Sequence, residues 1–74
     1  MRNRRDRPHV GDRVSWRSHG VTVHGTVEEE IDERTEAAGR TVAATPEDPQ
    51  FRVRSDRSGR DAVHRPESLG REDD

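Results

Sequence analysis

Four histidines and a run of acids are the residues in this chain most able to carry catalytic or metal chemistry. His9, His19, His24 and His64 raise the question of zinc. A zinc site needs three or four ligands converging from short paired spacings. His19 and His24 lie five apart across a tight hairpin, and no carboxylate is spaced to complete a set, so no metal is expected. Glu28-Glu29-Glu30 and Asp32-Glu33 could form paired general acids. They fall at a strand end with little apolar surface to raise a pKa, which reads as a solvated acidic face. No Gly-x-Ser-x-Gly elbow and no glycine-rich phosphate loop occurs. Without a nucleophile, a metal set or a cofactor cradle, the chain is expected to be non-catalytic and cofactor-free.

Binding chemistry is better represented. All fourteen basic residues are arginine, whose planar fork receives carboxylate and phosphate through two parallel hydrogen bonds. Arg52, Arg54, His64 and Arg65 are expected to share one outer face and to receive an anionic partner. The alternative is that Asp56, Asp61 and Glu67 neutralise them locally, since surface ion pairs are common and weak. A cage for methylated cations needs several aromatic rings, and this chain has two, Trp16 and Phe51. Both fall on the inward parity of their strands.

Two partners therefore compete. An acidic protein segment is the first, supported by charge segregation: arginines in the N-terminal arm and over 52–65, acids over 28–36 and 72–74. Nucleic acid is the second, because small β-barrels can bind single strands in a basic groove with stacking rings. The net charge of −2 and the pI near 6.1 oppose it, since such modules are clearly basic.

The elements that must position these groups are strands. Val14 and Trp16 share one face of a first strand, and Val21, Val23, Val27 and Ile31 one face of a long second. Val42 and Ala44 mark a third, Phe51 and Val53 a fourth, and Ala62–His64 a short fifth. Period two with valine as the main apolar residue is the pattern of half-buried strands. Five short strands in about 55 residues indicate a small barrel or sandwich.

Turn chemistry agrees with this reading. Ser18-His19-Gly20 reads as a three-residue loop, and Gly25 as a bulge or bend in the second strand. Thr45-Pro46-Glu47-Asp48 reads as a capped turn ended by Pro49. Asp56-Arg57-Ser58-Gly59 fits a type I turn. If Ser55 paired with Arg60, Val53 would face Ala62 and Val63 would point outward beside Arg52. A G1 bulge at Gly59 would instead pair Val53 with Val63 and bury both valines in one core. The second register is preferred on that ground. It places Arg52, Arg54, Ala62 and His64 on the outer face.

Gly11-Asp12-Arg13-Val14-Ser15-Trp16, Gly25-Thr26-Val27, Pro49 through Asp56, and Gly59 through Leu69 together resemble a bacterial family, the hypervirulence-associated TUDOR domain. Ala62-Val63-His64-Arg65-Pro66 with Leu69 is the most specific block of that resemblance. It implies a Tudor-like barrel of about five strands and no known activity. The expected fold is thus an all-β, five-stranded SH3/Tudor-like small barrel over residues 10–69, with a short capped turn before strand four. Its expected core is Val14, Trp16, Val23, Val27, Phe51, Val53 and Val63. Residues 1–9 are expected to be a basic disordered arm and 70–74 an acidic disordered tail.

No cysteine is present to form a disulfide, which suits a reducing cytoplasm. The basic N-terminus lacks the apolar run of a secretory signal, and no membrane partner is expected. Only 24% of residues are apolar against 41% charged. The small core such a composition allows implies modest stability, as a monomer or weak homodimer.

Overall fold

Alternating valines produce strands here, and the turn residues decide how those strands pair. The computed structural model describes residues 8–71 and contains seven strands among them. They are β1 (Arg13–Ser18), β2 (Val21–Ile31), β3 (Thr35–Ala37), β4 (Arg40–Val42), β5 (Gln50–Ser55), β6 (Asp61–His64) and β7 (Gly70–Arg71). A 3-10 turn, Pro66–Ser68, precedes β7. The fold is all-β. No helix among the described residues is long and apolar enough to cross a membrane.

The expected five-stranded barrel is corrected in detail. Five strands form an open antiparallel sheet in the order β6-β5-β2-β1-β7, and β3 and β4 form a separate two-stranded hairpin. The β1–β2 loop is tighter than the three-residue loop expected. Ser18 pairs with Val21, so His19 and Gly20 alone turn the chain, both at positive φ (53° and 82°). That is the primed two-residue turn that matches strand twist. Ala38 and Gly39 repeat it between β3 and β4. The turn before β5 forms as expected, with the Asp48 N–H donating to Thr45 Oγ1 at 3.1 Å.

Two apolar clusters replace the single core. Val14, Trp16, Val27, Phe51 and Val53 form the first, with Val23, Ala62 and Leu69 packed at its margin. Ile31, Val42, Ala44 and Val63 form the second, beneath the β3–β4 hairpin. A register shift between Val27 and Glu29 divides them. Inserting one residue reverses the parity of everything that follows. Val27 therefore pairs with Val53 while Ile31 pairs with Gln50, and the two lie on opposite faces.

The second cluster also corrects the β5–β6 register. Ser55 donates to the Arg60 carbonyl at 3.0 Å, Val53 pairs with Ala62, and Arg52 pairs with Val63. Gly59, at φ 72°, closes a four-residue loop and forms no bulge. Val63 does turn away from Val53, yet it stays 7% exposed because Ile31, Val42 and Ala44 cover it. Burying an aliphatic side chain stabilises by about 1.5–3 kcal/mol on either face. The two valines are therefore buried in different clusters and need not share one core.

Both ends of the domain run further than expected. Pro8 is buried, and the His9 N–H donates to Asp12 Oδ2 at 2.9 Å. Gly70 and Arg71 pair with Ser15 and Val14 and do not belong to a tail. The remainder of the expected arm and tail, 1–7 and 72–74, lies outside the described residues.

Candidate functional site

The observed register separates the four residues expected to form one face. Arg52 and Arg54 lie together on one side of β5. His64 pairs with Phe51, the residue next to Arg52, and so occupies the opposite side. Its ring lies 5.5 Å from that of Trp16 at an interplanar angle of 41°. Arg65 falls past the end of β6, where its Nη1 donates to Asp48 Oδ2 at 2.6 Å. His64 is thus removed from the arginine face.

The two arginines that remain hold carboxylates. Arg52 Nη1 donates to Glu28 Oε1 at 3.0 Å and to Asp61 Oδ2 at 2.7 Å, while its Nε donates to Glu29 Oε1 at 3.1 Å. Arg54 Nε lies 3.1 Å from Glu28 Oε2 and 3.5 Å from Asp61 Oδ1. The hydrogen bonds Arg52 donates to Glu29, then to Asp61, raise its pKa further above its ordinary value. Two cations against three carboxylates leave this cluster negative. Local neutralisation therefore prevails here, with Asp61 as one of the expected acids. Glu28 and Glu29 are brought in by the β2–β5 register, while Asp56 is held elsewhere by Arg13, at 3.0 Å from Nη1. That pairing, ahead of any other influence, lowers the Asp56 pKa.

His64 is half-buried, and burial first, then the nearby Arg40 charge, pulls its pKa below 6.5. Arg40 is fixed there because its Nη2 donates to the Val63 carbonyl at 3.2 Å. A depressed histidine pKa means the unfolded chain takes the proton first. The stability held by neutral His64 is full above about pH 6.5, shrinks below it, and reaches its floor beneath the folded-state value. Urea unfolding at stepped pH should show wild type losing stability from about pH 6.5 down to the folded-state value and a His64→Gln variant losing less over that window. Equal losses in both would contradict this placement of the ring.

Among the cations that remain open are two that the expected face did not include. Arg57 and Arg60 project from the Asp56–Gly59 loop and its exit, exposed, with no side-chain hydrogen bond or ion pair to another described residue. Beside Arg57 is an open cavity of about 380 Å³, lined by Arg13, Thr22, Val23, His24, Asp56 and Arg57. Their signal was present: arginines in a glycine-closed turn, beyond the reach of the ladder pairing that neutralises strand residues. Among the described residues, no three His, Cys, Asp or Glu side chains converge to hold a metal ion.

The family model of the hypervirulence associated proteins TUDOR domain matches residues 11–69, from the turn before β1 to the residue before β7. The chain belongs to that family. No curated protein and no solved structure matches it. As a TUDOR domain it takes a small binding-module form, a class that is in general non-catalytic. The matched span carries β1 to β6, both clusters and the arginine turn together.

Proposed function

We propose that this TUDOR domain is a non-catalytic module of the cytoplasm that binds an acidic protein segment, as a monomer or weak homodimer. The observation that carries the reading is the burial of both aromatic rings beside exposed, uncommitted arginines. Trp16 is 6% exposed and Phe51 is fully covered, so neither offers a stacking platform to a nucleobase or a wall to a methyl-cation cage. Arginine forks without stacking rings favour a ligand recognised through its carboxylates.

Net charge points the same way. With an overall charge of −2, a long polyanion meets repulsion beyond any local basic patch, whereas a short acidic segment does not. The test is a competition at low salt between a short Asp/Glu-rich peptide and single-stranded DNA of matched charge. The peptide is expected to bind more tightly.

A further inference from the structure

The arginine surface at the β5–β6 loop can be assigned a specific occupant, an inference that rests on the acidic-segment reading above. Two open cavities flank this loop. The larger, of about 380 Å³, takes in Arg57. The smaller, of about 170 Å³, takes in Arg60. Val23 lines both, and Trp16 contributes to the smaller. Val23, the residue the two cavities share, is apolar, and each cavity also takes in a guanidinium and a carboxylate, Asp56 in the larger and Asp61 in the smaller.

The acids nearby are already committed. Asp56 is held by Arg13 through two nitrogens, at 3.0 and 2.5 Å. Asp61, at the start of β6, is held by Arg52 at 2.7 Å and approached by Arg54. Arg17, on the neighbouring hairpin, donates to the Gly20 carbonyl, which brings no negative charge. The loop end is thus cationic, while the opposite end of the sheet holds Glu28, Glu29 and Glu30 in β2.

We propose that an extended acidic protein segment docks across this loop, with one carboxylate received by Arg57, a second by Arg60, and an apolar side chain between them on Val23. Charge complementarity selects the acids, because two unpaired forks in one short loop repel each other until an anion arrives. The larger cavity lies within the range that holds a compact side chain or small ligand. A single strand of nucleic acid would bring the phosphates but would find Trp16 and Phe51 buried, leaving only the smaller imidazole of His24 beside the loop for a base to stack on.

The experiment is an NMR titration of the ¹⁵N-labelled full chain with an Asp-Val-Asp-containing peptide, and in parallel with single-stranded DNA of matched charge. The peptide should shift the amides of His24, Arg57, Gly59 and Arg60 first. An Arg57→Ala/Arg60→Ala variant with an unchanged melting temperature should bind it about tenfold more weakly. Shifts centred instead on Arg52 and Arg54, or full affinity in the double variant, would overturn this site and leave the acidic-segment reading standing. No peptide shifts at any attainable concentration, or DNA binding more tightly at the loop, would overturn both.

Discussion

Trp16→Ala should cost about 3–5 kcal/mol and leave the chain largely unfolded at room temperature. The ring is 6% exposed in the first apolar cluster, among Val14, Val27, Phe51 and Val53. It also supports the His64 ring at 5.5 Å and reaches to Gly25 on β2. Its removal therefore takes contacts from β1, β2 and β6 together. Domains of this size retain few kcal/mol in reserve. Far-ultraviolet circular dichroism and a urea titration measure the outcome. A variant with a native spectrum and a loss below about 1 kcal/mol would show that the ring is not central to the core.

Gly25→Ala should be nearly as damaging, although it adds one methyl group. Gly25 pairs with Val14 on one side and Ser55 on the other, so it sits in the interior of the sheet. A Cβ there would overlap the Arg54 carbonyl oxygen and approach the Trp16 ring edge to 2.8 Å. The ring could rotate, but the carbonyl belongs to the paired neighbour and cannot withdraw without opening the β2–β5 ladder. Overpacking of this kind reaches about 3 kcal/mol. Gly59→Ala is the control, because its φ of 72° strains a side chain while the space around it is open. That strain is worth about 1–2 kcal/mol. Equal losses for the two variants in urea would remove the steric account of Gly25.

The same glycine shows how far sequence reading reaches in this fold. A glycine interrupting a valine-rich strand signalled a special position, and the structure gives it a close backbone approach. The change of register lies further on, between Val27 and Glu29. No residue type marks that bulge, because its cause is the pairing with β5 and not a local conformational preference. Once it is missed, Ile31 is placed on the wrong face. The second cluster then disappears from view, and the β5–β6 register is argued from one core where two exist. The β3–β4 hairpin was hidden for a related reason. Thr35, Glu36, Arg40 and Thr41 show no apolar alternation, and what holds the hairpin is Val42 and Ala44 docking on distant Val63.

The candidate site follows the same division. The structure buries both Trp16 and Phe51, and their inward parity was legible. Which arginines are occupied was not, since Glu28 and Glu29 reach Arg52 across a ladder whose register the bulge sets. Arg57 and Arg60 escape because a loop has no cross-strand neighbour to supply a carboxylate.

Recognition of carboxylates on a protein, and not of a phosphate backbone, is what we propose for this domain. It is tested most directly by fluorescence anisotropy with a labelled Asp/Glu-rich peptide, competed by single-stranded DNA of equal charge in the same low-salt buffer. The peptide should bind about tenfold more tightly than the DNA, and raising salt should weaken the DNA more steeply as counterions are released. DNA that displaces the peptide at equal or lower concentration would contradict it.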